Sequence, residues 1–296
     1  MTVTAAPAAT VRAPAAIPAG SYSLADLARS EWTKLRSVRS TFWSFAVVVV
    51  LGVGVGILAT AETRAHWSTT NALSFDPTRT SLIGVDVAQL VVGVLGALVV
   101  TGEYGTGTIR ATLSAAPRRP LVLLAKTAVF TVAALVVSEV VAFSSFFLGQ
   151  AMLTAPATHA TLSTPGALRA VVGSGLYVCV VGLVGLGLGL LVRHTAGAIG
   201  AFAGVLLILP IVVSALPTSI VDAVQRYLPL QIGRAMITVQ PVSVAGAVQR
   251  HVAAHAHLLS AGGTPTFSPW VGFGILCGYA VALLAAGTVL LVRRDA

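Results

Sequence analysis

The run AVVGSGLYVCVVGLVGLGLGLLV at residues 170–192, followed by Arg193 and His194 and then by TAGAIGAFAGVLLILPIVVSAL at residues 195–216, decides what kind of fold this chain adopts. Neither apolar half contains a charged residue. Each is long enough to cross the hydrocarbon of a bilayer, which takes about 20 residues of helix. Inside lipid every backbone N–H and C=O must be bonded within the segment, so such runs are helices. Two linking residues allow only a tight antiparallel hairpin.

Four further runs of the same character lie outside the hairpin, at about 41–61, 82–101, 127–151 and 269–292. The expected fold is therefore an all-α polytopic membrane protein with six spans. Composition agrees: 56% of the 296 residues are hydrophobic and 9% charged, with a mean hydropathy of +0.92. Soluble domains carry roughly a quarter charged residues, so the surplus apolar surface requires lipid. The net charge of +9 does not indicate a nucleic-acid partner, because the basic residues flank apolar runs instead of forming one continuous face. Cys179 and Cys277 fall within apolar runs and are read as small packing residues.

Basic residues also set the expected orientation. With the N-terminus in the cytoplasm, Arg12, Arg29, Lys34, Arg36, Arg39, Arg110, Arg118, Arg119, Lys126, Arg193, Arg293 and Arg294 fall inside. Arg64, Arg79, Arg169, Arg226, Arg234 and Arg250 fall outside. Twelve against six places both termini in the cytoplasm of a bacterial cell membrane. Residues 1–20, rich in Ala, Pro and Thr, are expected to form a disordered tail. Residues 21–40 are expected to form an amphipathic elbow helix in the headgroup layer, since Leu24, Leu27, Ala28, Leu35 and Val38 recur at helical spacing beside a basic flank. The outer segment, 217–268, is long for a loop. Its stripe of Ile220, Val221, Val224, Tyr227 and Leu228 predicts short interfacial or re-entrant helices before the last span.

The cytoplasmic segment 102–126 is the most informative loop. It reads GEYGTGTIRATLSAAPRRP over 102–120, with Lys126 just before the next apolar run. Three glycines are expected to break the second span as it leaves lipid, a short helix to occupy 108–116, and Pro117 to end it. Arg110, Arg118, Arg119 and Lys126 hold the segment at the membrane surface.

This stretch resembles the first cytoplasmic loop of type-2 ABC exporter permeases, in which a Gly-Glu-x-x-x-Gly-Thr-(Ile)-Arg run precedes a Leu, a Pro and a basic cluster. The segment EWTKLRSVRSTFW at 31–43 is similar to that family's elbow, above all in actinobacterial members. LGLGLLVRHTAGAI at 186–199 resembles its fourth-to-fifth hairpin, and YLPLQIGRA at 227–235 more loosely resembles the stretch before its last span. Together these cover about residues 22–294. The resemblance implies a membrane-spanning permease subunit, with no catalysis of its own, that forms a translocation pathway with a second copy or a paralogue. It further implies that ATP and Mg are bound by a separate ATPase subunit docked on the loop. It places Glu103, Gly107, Thr108, Arg110, Leu113, Pro117, Arg118 and Arg119 at the ATPase-coupling surface, and Glu31, Lys34, Leu35 and Arg36 in the elbow. A merely topogenic loop, its charges solvated by headgroups, is the plainer reading of the same residues.

The chain has no Gly-x-x-x-x-Gly-Lys-Ser/Thr loop to cradle ATP, and no His-Glu-x-x-His or Gly-x-Ser-x-Gly motif for hydrolysis. A non-transporting anchor, sensor or immunity subunit of an ABC complex is the alternative to a permease. Two acids lie within spans. Glu139 sits mid-span, where a charge costs about 2.5–3.5 kcal/mol on insertion scales, so it is expected to face the bundle. It either lines the pathway or locks two helices, or it is a quiet hydrogen-bonded acid. Asp86 lies near the outer end, within reach of water. His251 and His255, at i and i+4, have a spacing that can hold zinc or copper, but no third ligand is close in sequence. Gly52 with Gly56, and Gly185 with Gly189, offer faces for close helix approach, within the bundle or between subunits.

Overall fold

A computed structural model describes residues 23–37, 39–67, 75–115, 118–153, 159–239 and 267–294. Within them all regular structure is helical: α1 (Leu24–Ser37), α2 (Arg39–Ala65), α3 (Pro77–Ser81), α4 (Val85–Thr106), α5 (Thr108–Ala115), α6 (Arg119–Met152), α7 (Ala167–Val192), α8 (Thr195–Ser214), α9 (Thr218–Val224), α10 (Pro229–Ile237) and α11 (Pro269–Arg294). Six of these, α2, α4, α6, α7, α8 and α11, are long and apolar enough to cross a membrane. The chain is thus an all-α, multi-pass membrane protein. The spans alternate in direction, so α1 and α5 share one end of the bundle, here the elbow end, with α3 and α10 at the far end.

Helix α7 is the axis of the bundle. It is buried along most of its length, against α4, α6 and α11. Small residues allow the tightest of these contacts. A Cβ on Gly185 would lie 2.0 Å from the carbonyl oxygen of Gly93, and one on Gly96 would lie 2.1 Å from that of Gly182. Only hydrogen fits there, so the α4 and α7 backbones touch. Gly189 meets Ala97 on the same seam. Gly52 and Gly56 do likewise on α2, facing Val141, Ser81 and Ser145. Both glycine pairs therefore pack inside this chain. In contrast α2, α8 and α11 leave broad apolar faces uncovered, with Val50, Leu58, Ile211 and Val281 each more than 60% exposed, as surfaces meant for lipid are.

The hairpin joining α7 and α8 is as short as the sequence predicts. Arg193 turns the chain at φ 58°, its N–H donating to the Gly189 carbonyl at 2.9 Å, and His194 Nδ1 then accepts from Gly197 N at 3.3 Å to cap α8. Within α8, Gly204–Ile208 is π-helical. Pro210 lies just beyond; it lacks an N–H and its ring crowds the carbonyl four residues back, which is the circumstance that widens a helix turn.

Several boundaries differ from expectation. Gly102 and Gly105 do not break the second span: α4 runs on to Thr106, and only Gly107, at φ 72°, ends it. Glycine costs a helix about 1 kcal/mol per residue, too little to stop one already propagating; Gly107 ends it by adopting the left-handed conformation. The third span likewise begins earlier, at Arg119, with Pro120 in its first turn. The 102–126 loop is consequently shorter than expected, with α5 between two helices that project beyond the apolar zone. Pro117 lies outside the described residues, as do the 1–20 tail and His251 and His255. The described part of the outer segment, 217–239, contains two short helices. Helix α9 buries none of its residues, whereas α10 buries Ile232, Gly233, Met236 and Ile237 against the bundle. Helix α3, which the hydropathy pattern does not suggest, is clamped to α6 by Gln150, whose Nε2 donates to the Pro77 carbonyl (2.9 Å) and Ser81 Oγ (2.8 Å).

Candidate functional site: an ion network at the elbow end

Four charged side chains converge where α1, α4 and α6 meet. Lys126 Nζ lies 2.6 Å from Glu31 Oε2 and 2.7 Å from Glu103 Oε1. Lys34 Nζ lies 2.6 Å from Glu31 Oε1 and 3.1 Å from Glu103 Oε1, and it also donates to Thr112 Oγ1 of α5 at 3.4 Å. Each lysine bridges both carboxylates, so one cluster ties the elbow helix to both arms of the α4–α5–α6 segment. The local sequence arranges this. Glu31 and Lys34 are three residues apart and share a face of α1. Glu103 lies on the extension of α4, and Lys126 on the second turn of α6. The pair is chemically apt, because an ammonium is a compact charge with three donors that can serve two carboxylates at once, where a planar guanidinium favours one.

Burial makes the cluster consequential. The Lys126 and Glu31 side chains are 6% and 8% exposed, against 40% for Lys34. Burial by itself would raise the Glu31 carboxyl, but Lys126 first and then Lys34 outweigh it and hold the group below its ordinary value of 4.5. Burial likewise works against the charge on Lys34, and Glu31 and Glu103 overcome it, holding its ammonium above 10.5. Both ends of the cluster are thus charged across the physiological range.

Two further contacts reach the same segment. Arg119, opening α6, donates through Nη1 to the carbonyls of Leu291 (3.1 Å) and Val292 (3.3 Å) in the last turn of α11. A cation on a helix C-terminus satisfies unpaired carbonyls and favours the dipole. The guanidinium of Arg193, from the α7–α8 turn, stacks 5.2 Å from the centre of the Tyr104 ring on α4. Every span thus connects to the α4–α5–α6 segment directly or through one neighbour. Helix α5 itself buries no side chain: Thr108 and Arg110 are exposed and Leu113 is partly so. Gly107 and Arg118, flanking it, are exposed as well.

The sequence-predicted residues therefore divide. Glu31, Lys34 and Glu103 come together, while Leu35 is partly covered and Arg36 points outward. Thr108, Arg110 and Leu113 sit on the free helix, and Arg119 turns inward to α11. The covered face of α1 carries Leu27, Ala28 and Leu35 of the apolar stripe, with Glu31 as its least exposed residue, whereas Leu24 and Trp32 are 43% and 49% exposed; α1 thus leans on α6 through both apolar side chains and a buried charge. Lys126, expected at the membrane surface, is the buried hub of the cluster. Its signal was compositional, since the chain has only two lysines among sixteen arginines, and both fall in this cluster.

The two acids within spans behave differently. Glu139 is half-buried, its carboxyl lying on the Gly175 backbone of α7, and Oε2 has no partner among the described residues. Ser145, also on α6, faces α2, toward Gly52 and Gly56. Asp86 accepts from Gln89 Nε2 at 3.3 Å and lines a cavity at the far end. Gln89 is fixed in turn by the buried Tyr177 hydroxyl, which donates to Gln89 Oε1 and lies 3.1 Å from the Pro229 carbonyl, pinning α10 to α4 and α7.

A helical membrane bundle with an elbow helix, an exposed helix slung between two extended spans and a tight α7–α8 hairpin has the form of a transporter membrane subunit. The chain belongs to the ABC-2 family of transporter proteins, whose family model matches residues 26–296. No curated protein matches it. As a member of that family it is a membrane-spanning transport component, associated with an ABC ATPase partner.

Proposed function

We propose that this chain is one membrane half of an ATP-driven exporter, with the elbow end in the cytoplasm and α5 as the helix on which the ATPase docks. The carrying observation is the position of α5, exposed on its own account and flanked by residues bonded to the other helices. Thr112 reaches Lys34, Glu103 joins the buried cluster, and Arg119 holds α11. A push on α5 is thereby delivered to α1, α6 and α11 as stiff displacement, which is what rigid-body switching between two bundle states requires. Thr108, Arg110, Leu113 and Arg118 form the face offered to the partner, and Glu103 and Arg119 transmit from behind it. ATP and Mg reside on the partner, and a second copy or paralogue completes the pathway. The preponderance of basic residues at the elbow end supports the orientation.

The test is co-purification of the chain with an ATPase carrying a phosphate loop, followed by reconstitution. Arg110→Glu is expected to abolish ATPase association while leaving the bundle folded, and ATP-dependent substrate movement is expected in vesicles holding the intact pair. Accessibility labelling that put residues 103–115 on the cell exterior would overturn the assignment. Association without any ATP-dependent movement would favour the non-transporting anchor.

A further inference from the structure

The far end contains a cavity of about 520 Å³ between α2, α3, α4 and α10, within the size range of small-molecule sites. Its charges are sorted in an unusual way. Of its three acids, Glu62 is paired with His66 at 3.0 Å. Asp76 is spent on backbone, accepting from Arg79 N at 3.0 Å and Val239 N at 2.7 Å. Asp86 alone is left with one long bond, the 3.3 Å contact from Gln89 Nε2, and Gln89 is itself held by Tyr177. Asp86 therefore stands at the cavity wall with no cation within ion-pair distance among the described residues. Arg79 and Arg234, both exposed, line the same cavity. Among the described residues neither forms an ion pair with Asp86. Trp67 and Phe75, ring centres 4.9 Å apart and edge to face, complete the wall.

We propose that this cavity binds an alkylammonium phosphate zwitterion, its ammonium on Asp86 and its phosphate between Arg79 and Arg234. An acid and two guanidiniums that line one cavity without an ion pair between them are complementary to a ligand that carries both charges. Two guanidiniums suit a tetrahedral phosphate, to which they can each donate in a fork. The aromatic pair offers ring faces and edges to the methylenes and the cation. Such a zwitterion can come from a phospholipid headgroup or from a free phosphodiester. The site stands whether or not α5 docks an ATPase.

The test uses the purified full chain in detergent, without ATPase, titrated calorimetrically with glycerophosphoethanolamine, glycerol 3-phosphate and ethanolamine. The whole zwitterion is expected to bind at least about tenfold more tightly than either half, since each charge-assisted contact contributes about 1.5–3 kcal/mol. Asp86→Asn, nearly isosteric, and Arg234→Gln are each expected to weaken it by about tenfold. Binding of glycerol 3-phosphate as tight as that of the zwitterion would overturn the proposal, as would an unchanged affinity in Asp86→Asn. The comparison of ligands on the unaltered chain holds even if a variant fails to fold. Reconstitution into phosphatidylethanolamine nanodiscs separates the sources: suppressed titration marks a lipid headgroup as the occupant, and undiminished titration, relative to phosphatidylglycerol discs, marks the free phosphodiester.

Discussion

Replacing Lys126 with methionine is the most informative perturbation of the elbow end. Methionine keeps the length of the side chain and removes its charge, leaving Glu31 and Glu103 facing one another in a site where Glu31 is 8% exposed. Breaking a buried pair by removing one partner costs about 3–5 kcal/mol. Lys34 still bridges both carboxylates at 2.6 and 3.1 Å, which keeps the loss near the lower figure. The same replacement at Lys34, 40% exposed, removes the more solvated cation and leaves both carboxylates on Lys126, a loss of about 0–1 kcal/mol. Released from the cluster, α1 swings off α6. A loss of about 3 kcal/mol raises the open fraction about a hundredfold, so amide hydrogen exchange across 24–37 is expected to accelerate by that factor in Lys126→Met and by no more than about fivefold in Lys34→Met. Lys126→Arg is expected to fall nearer to Met than to wild type, because a planar fork cannot bridge the two carboxylates as the ammonium does. Equal acceleration in the two methionine variants would refute the reasoning, since burial would then not be what makes the cluster strong.

The same exchange measurement carries a pH dependence. Glu31 is held below its ordinary 4.5, so its contribution is complete above that value and is lost as pH falls through the lowered one; Lys34 is held above 10.5, so its share is complete below 10.5 and is lost as pH rises beyond. Protection of α1 is therefore expected to be flat between those limits and to fall on the acid side first in any practical range. Tyr177→Phe removes the hydroxyl that donates to Gln89 Oε1 and sits against the Pro229 carbonyl and is expected to cost about 1–3 kcal/mol, read as faster exchange in α10 with α1 unaffected. Gly185→Ala drives a Cβ to 2.0 Å from the Gly93 carbonyl oxygen; neither backbone can yield, so loss of folded protein on size-exclusion chromatography is expected, while Gly204→Ala, with nothing nearby, is expected to be neutral. Glu139→Gln is expected to leave assembly intact and to alter transport in reconstituted vesicles, and unchanged transport would remove Glu139 from the pathway.

Hydropathy made the six spans and the α7–α8 hairpin legible, because lipid admits few alternatives to long apolar helices. It misplaced the inner ends of α4 and α6, where helices outrun the apolar run and hydropathy carries no information. Helix α3 escaped for a related reason: its hold on α6 comes from Gln150, a single hydrogen-bonding side chain with no periodic signature. Glu31 and Lys34 lie in the elbow motif and Glu103 in the loop motif, and the structure brings the three together. Their convergence on Lys126 depends on where three helices cross, and nothing in local spacing specifies that crossing.

The widened turn at Gly204–Ile208 gives α8 a freedom that the other spans lack. A π turn holds one residue more than an α turn over about the same arc, so the helix above and below it keeps its spatial alignment. Deleting a single residue there would tighten the coil and leave both flanks facing as before. The same deletion in α7 would turn everything beyond it by about 100° and present bulky side chains to the Gly93 and Gly96 seam. In this protein, then, a span's length can drift by one position in α8 and is frozen in α7.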